Sequence, residues 1–309
     1  KKKMPVQESA PLSLPIRMST SAISGCIAAT VCHPLDVIRV QMQVESVDGT
    51  KYKNAFDAGA KIYQRAGLKG IYSGLSAAYL RQWLYGSCRM GIYGFLTEKW
   101  QQQNPSLSAP PLLTKLAMGM VSGGVGSAVG NPSELALVRM SADGKAAPEH
   151  RRNYKNVADC IVRVAREEGV SALWRGAAPS VSRAVVISGA LMGLTSQTKQ
   201  VLTQQTSFDP NGVPIMFFSA TVASLFANIL AMPMDVCKSR IQNMPVPARG
   251  AEPLYRGMFD CAAKSVKSEG VMVLWSGFTP AFIKLAPYTV ISLTVLQKMT
   301  VLMFNKDAV

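Results

Sequence analysis

Three segments of this 309-residue chain align without gaps over 25 residues: YKNAFDAGAKIYQRAGLKGIYSGLS from Tyr52, YKNVADCIVRVAREEGVSALWRGAA from Tyr154, and YRGMFDCAAKSVKSEGVMVLWSGFT from Tyr255. Upstream of each stands a proline motif: HPLDVIRVQMQ, NPSELALVRMS and MPMDVCKSRIQ. The prolines are Pro34, Pro132 and Pro233, so the period is 98 and then 101 residues. A repeat of this kind is one structural unit used three times, each copy burying its apolar faces against the next. Like units with self-complementary sides close most simply into a ring, so a pseudo-threefold arrangement is expected.

Charge follows the same period. The stretches 35–74, 133–176 and 234–277 hold 14 of the 18 acidic residues and 20 of the 33 Lys and Arg residues. Between them lie six nearly uncharged segments, roughly 17–34, 75–97, 112–132, 177–198, 213–233 and 278–297. Each is long enough to cross a hydrocarbon core of about 30 Å as a helix. Each also carries Gly, Ser or Thr, as helices do when one face meets lipid and the other lines protein or a wet cavity. Small residues recur at four-residue spacing before each proline (Ser21, Gly25, Ala29; Gly119, Gly123, Ser127; Ala220, Ser224, Asn228), which lets helices approach closely. The expected fold is an all-α membrane protein with six transmembrane helices in three pseudo-threefold repeats, each with a short helix in its charged loop. The expected boundaries are a disordered polar tail over 1–16 and repeats over 17–101, 112–203 and 213–303, forming one transport domain. The tail has no long apolar stretch before a small-residue cleavage site, so it does not read as a secretory signal, and its prolines argue against a long amphipathic presequence.

A net charge of +15 would suit a nucleic-acid or anionic-lipid partner. A mean hydropathy of +0.15 with 17% charged residues argues against nucleic acid. The 48% hydrophobic content excludes a disordered chain. Six cysteines without a C-x-x-C pair, and only two histidines, give no metal cluster. No cofactor is expected, and no nucleophile–base pair suggests an enzyme.

The sign of a ligand can be read from three cations. Seven residues after Gly74, Gly176 and Gly277 stand Arg81, Arg183 and Lys284, at one depth about two helical turns into the even-numbered spans. Arg89 adds a fourth, without counterparts in the other repeats. The spans hold no interior Asp or Glu, and an unpaired cation in a bilayer costs several kcal/mol unless it meets water or an anion. Snorkelling to an interface would explain one such residue. Three at matched depth under threefold symmetry point to one cavity for a small dianion or trianion. Arg81 and Arg183 can bind carboxylate bidentately, whereas Lys284 offers a point charge.

Three copies of Pro-x-(Asp/Glu), two of them completed as Pro-x-(Asp/Glu)-x-x-(Lys/Arg), and each followed by (Trp/Tyr)-x-Gly, resemble the mitochondrial carrier family across essentially the whole chain. RRNYKNVADCIVRVAREEGVSALWRG and GLSAAYLRQWLYGSCRMGIY are most similar to its branch exchanging 2-oxoglutarate for malate. The resemblance implies a multi-pass protein of the mitochondrial inner membrane that exchanges small dicarboxylates by alternating access. Its charged loops would lie in the matrix and its termini toward the intermembrane space, and it would function as a monomer. A broader dicarboxylate–tricarboxylate exchanger and an uncoupling-type proton-leak protein share the scaffold. The resemblance further implies that Arg81, Gln82, Arg183, Ser188, Lys284 and Arg89 contact substrate.

It also implies a matrix gate at the proline-kinked ends of the odd-numbered helices. Arg39 would pair with Asp235, and Glu134 with Lys238, while Asp36 lacks a partner because Leu137 stands where a base should be. Gln43 and Gln242 would brace these pairs from beneath. On the opposite side the matching stretches, from Tyr93, Thr195 and Val295, keep little of the family's charged motif, so few salt bridges are expected there. Gly74, Gly176 and Gly277 begin helices behind an aromatic residue. Their free N–H groups could dock cardiolipin, as the resemblance implies, or these glycines could simply cap the helices. His33 reads as a packing residue or a proton relay, and Trp83 and Tyr85 as cavity or lipid residues.

Overall fold

The computed structural model describes residues 14–44, 52–105, 110–146, 149, 151–187, 198, 201, 213–245 and 252–304. The expected tail lies largely outside them, and the first helix begins at Leu14, three residues before the expected span. The helices are α1 (Leu14–Gln43), α2 (Ala55–Ile71), α3 (Leu75–Arg81), α4 (Ser87–Gln103), α5 (Leu112–Asp143), α6 (Val157–Glu167), α7 (177–187), α8 (Val213–Asn243), α9 (Met258–Glu269) and α10 (Phe278–Phe304). Each repeat is thus a long odd-numbered span, a short loop helix, and a return span. The first span, α1, packs against the last, α10, and so closes the ring. Ser24 Oγ donates to the Ser292 carbonyl at 2.9 Å across that joint.

Exposed apolar residues fall at matched positions: Ile23, Ile27 and Val31 on α1, and Val121, Val125 and Val129 on α5. Phe226 and Leu230 continue the pattern on α8. Four-residue spacing places each set along one helix face, which suits lipid. The opposite faces bury small residues such as Ala22, Ser24, Ala28 and Ala29 on α1. Among the described helices, α1 (from Met18) and α5 hold continuous apolar windows of mean hydropathy 1.4 and 1.3. The loop helices begin with reciprocal caps. Asn54 accepts from the Asp57 N–H while Asp57 accepts from the Lys53 N–H. Asn156, Asp159 and Lys155 repeat this in the second copy, satisfying donors that a helix start leaves free.

The helices run on past the prolines at which the uncharged segments end. Pro34, Pro132 and Pro233 lie inside α1, α5 and α8. A helical proline frees the carbonyl four residues earlier, and the structure supplies that carbonyl with a donor. Trp174 Nε1 donates to the Ala128 carbonyl at 2.9 Å, and Trp275 Nε1 to that of Ile229 at 3.1 Å. These are the carbonyls that Pro132 and Pro233 release. In the second and third repeats the tryptophan of the (Trp/Tyr)-x-Gly motif therefore repairs the defect made by the proline motif of its own repeat. The residue before the proline fastens the same loop. Asn131 Nδ2 donates to the Leu173 carbonyl at 2.7 Å, and His33 Nε2 lies 2.9 Å from the Ser73 carbonyl with its ring stacked on Tyr72. His33 is a buried packing residue.

The repeats join by a cyclic rule seven residues beyond each proline. Gln41 donates to the Ser141 carbonyl at 3.0 Å, Arg139 to that of Gln242 at 2.9 Å, and Arg240 to that of Gln43 at 3.2 Å. Each repeat thereby grips the next, and the third grips the first. Gly74, Gly176 and Gly277 sit in these joints with φ of +86°, +80° and +79°. A Cβ there would lie 3.0 Å from Ser141 Oγ, 2.8 Å from Gln242 Cγ and 3.1 Å from the Arg39 carbonyl oxygen. Left-handed backbone and close approach both call for glycine.

Candidate functional site

The site is built where α3 passes into α4. Residues Gln82–Gly86 form a π turn between the two. Such a turn inserts one residue into the helical register. Eight residues then span about two turns, instead of overshooting by most of a quarter-turn. This carries Arg89 back to the face of Arg81. Both line a cavity of about 990 Å³ with Gln82, Tyr85, Tyr93, Lys284 and Tyr288, and the lining extends to Gln101 and Lys115 at the end opposite the charged loops. Glycines on α5 receive this bend: a Cβ on Gly130 would be 3.0 Å from Tyr85 Cβ, and one on Gly126 would be 3.3 Å from Arg89 Cβ. Sequence reasoning missed the π turn and these two glycines, and left Tyr85 undecided. A Gly-x-x-x-Gly spacing facing an aromatic was the only signal available.

Gln82 is oriented by Tyr288, its Nε2 donating to the hydroxyl at 2.9 Å, and it packs against Gly25. The Lys284 ammonium lies 5.0 Å from the centre of the Tyr288 ring. Arg89 Nη1 reaches the Tyr85 hydroxyl at 3.5 Å. Ser188 lies outside the described residues, as does the stretch from Thr195 apart from Thr198.

Below the cavity, toward the loops, is a layer of ion pairs. Arg39 lies 2.5 Å from Asp235, and Lys238 pairs with Glu134. Two findings depart from the sequence reading. The three cations at matched depth have acidic partners: Arg183 lies 2.7 Å from Asp235, Arg81 3.6 Å from Glu134, and Lys284 2.7 Å from Asp36. Arg81 and Lys284 line the cavity, whereas Arg183, turned to Asp235, is not among its lining residues. The acids come from the long first helix of the neighbouring repeat (α1, α5 or α8), which runs past its proline and carries its acid to the axis. Asp36 is accordingly not without a partner, for Lys284 holds both of its oxygens. Gln43 accepts from Ser239 Oγ at 2.8 Å, and Gln242 Nε2 lies 3.4 Å from Asn131 Oδ1. Among the described interactions neither braces an ion pair of this layer, because each is drawn aside by a side chain of an adjoining helix.

The electrostatic balance is simple. Five cations (Arg39, Arg81, Arg183, Lys238 and Lys284) face three carboxylates (Asp36, Glu134 and Asp235), an excess of two. Arg89 on the cavity wall raises the excess to three. In a low-dielectric setting such a field favours a small multivalent anion.

Residues 10–104, 108–206 and 209–307 each match the model of the family described as mitochondrial carrier protein. A mitochondrial 2-oxoglutarate/malate carrier protein of Caenorhabditis elegans is 37% identical over 94% of this chain and 93% of its own. Its namesake in Mus musculus is 39% identical over 92% and 90%. A protein of Arabidopsis thaliana named mitochondrial uncoupling protein 5 is 34% identical over 92% and 96%. Three tandem matches in register with the three helical repeats, each built around one proline motif and one cation seven residues past its glycine, establish that this chain belongs to the mitochondrial carrier protein family, transporters of six membrane-spanning helices.

Proposed function

We propose that this chain exchanges small dicarboxylates, 2-oxoglutarate for malate or a related dianion, across the mitochondrial inner membrane by alternating access. The observation that carries the reading is the cavity with Arg81, Arg89 and Lys284 on its wall, ending on a layer with two more cations than carboxylates. A dianion matches that excess. The relatives named 2-oxoglutarate/malate carrier support the choice of substrate. In this reading Arg81, Gln82, Arg89, Arg183, Ser188 and Lys284 contact the anion. Asp36, Arg39, Glu134, Asp235 and Lys238 form the gate, with Gln43 and Gln242 beside it. The charged loops face the matrix, the termini face the intermembrane space, and one chain suffices for transport. Gly74, Gly176 and Gly277 open helices whose N–H groups suit cardiolipin phosphate, although close packing already accounts for glycine there.

The test is exchange in proteoliposomes. Uptake of labelled 2-oxoglutarate is expected to require malate or another dianion inside, and uptake into empty vesicles at the same rate would refute obligatory exchange. The relative named uncoupling protein 5 supports a second reading, a proton leak on the same scaffold. Membrane conductance that stays at the protein-free level while exchange proceeds would exclude it.

A further inference from the structure

Leu137 occupies the place in the second repeat that Arg39 and Lys238 hold in the others. It packs in an apolar cluster with Leu135, Met140 and Leu173, so α5 gives Asp36 no cation. The consequence is an asymmetry in the ion-pair layer. Glu134 has Lys238 as well as the cavity cation Arg81, and Asp235 has Arg39 as well as Arg183. Asp36 is bonded by Lys284 alone among the described residues, with the ammonium 2.7 Å from each oxygen. That ammonium also faces the cavity. An anion that takes Arg81 or Arg183 leaves each acid one cation; an anion that takes Lys284 leaves Asp36 none.

We propose that Lys284 is the third latch of the loop-end gate as well as an anion-binding cation, so that an entering dicarboxylate opens this latch by competing with Asp36 for one ammonium. The proposal rests on the dicarboxylate-exchange reading and adds to it the residue pair through which binding reaches the gate. A ligand shifts a conformational equilibrium only through contacts that differ between the two states, and here the same three donors serve the gate before binding and the ligand after it. Lysine suits the task because its donors rotate on a flexible stem, whereas a planar guanidinium must be reoriented to change partners. Part of the anion's binding energy is then spent on releasing Asp36, which weakens apparent affinity.

Giving Asp36 a second cation tests this. Leu137→Lys is expected to tighten malate binding to the purified carrier by about fivefold, the scale of one partly buried ion pair. Binding is read from the malate dependence of thermal stabilisation. The same variant is expected to lower the maximal exchange rate, because the closed layer gains a bridge. Asp36→Asn frees Lys284 by the other route and should also tighten malate binding. In the Asp36→Asn background, adding Leu137→Lys should change binding no further. Equal tightening by Leu137→Lys in both backgrounds would mean that the new charge merely attracts anions, and would overturn the latch. So would malate binding unchanged by either substitution. If Leu137→Lys does not yield folded protein, Asp36→Asn decides alone: unchanged or weaker malate binding rejects the proposal. A wild-type chain that exchanges no dicarboxylate defeats the underlying functional reading instead, so the two failures are told apart.

Discussion

Glu168 carries more of the loop layer than its place in the sequence suggests. Its carboxylate is bonded by Arg139 and Arg175, with Arg139 Nη2 2.9 Å from Oε2, and the Arg139 side chain is wholly buried. Removing one partner of a buried pair strands the other charge, so Glu168→Ala is expected to cost about 3–5 kcal/mol, measured by unfolding of the detergent-solubilised protein. Burial pushes the Glu168 carboxyl up, but the hydrogen bond and charge of Arg139, with the charges of Arg175 and Arg152, outweigh this and hold it below its ordinary 4.5. A carboxyl lowered by folding contributes stability that is complete above its unfolded value and is lost as pH falls through its folded value. The melting temperature is therefore expected to decline below about pH 4.5, less steeply in Glu168→Gln. In the ion-pair layer, Arg183→Ala should abolish exchange while the protein remains folded; retained transport would show that Arg183 does not hold the anion. The cations were legible in the sequence because they stand out against uncharged spans. Their partners were not, since Asp36 and Lys284 are 248 residues apart and only the threefold closure brings them together.

Among the elements, the prolines were visible but their repair was not, because a sequence shows the hydrogen bond a proline removes and not the donor that replaces it. Trp174 and Trp275 supply that donor from 46 residues away. The first repeat has Tyr72 in the equivalent place, and its ring stacks on His33. Trp275→Phe keeps most of the packing while leaving the Ile229 carbonyl without its indole partner. A loss of about 1 kcal/mol is expected, the low end of the cost of an unsatisfied acceptor, since this bond is partly buried. Tyr72→Phe should cost less, which thermal unfolding of the two variants would show. The π turn at Gln82–Gly86 was illegible for a related reason. Its register shift is set by α5 glycines some 40 residues downstream, which admit Tyr85 and Arg89, and local propensity carries no trace of it.

For the whole molecule, period and repeat count were legible because three copies of one pattern leave little other explanation. The rule that binds the copies was not, since it acts between Gln41, Arg139 and Arg240 and backbone carbonyls of the following repeat. A closed ring of three joints behaves differently from three independent contacts. Gly277→Ala would place a Cβ 3.1 Å from the backbone oxygen of Arg39 at a φ of +79°. A left-handed alanine alone costs about 1–2 kcal/mol, so this variant is expected to lose at least that much. Gly74→Ala strains a second joint, with its Cβ 3.0 Å from Ser141 Oγ at a φ of +86°. Once one joint has parted, the neighbouring repeats can move, and the strain at the second joint is partly relieved. The double variant should therefore lose less stability than the sum of the two single ones, by more than the roughly 0.5 kcal/mol scatter of independent sites. Strict additivity in unfolding measurements on the four proteins would show that the joints act separately and that the ring does not close as a unit.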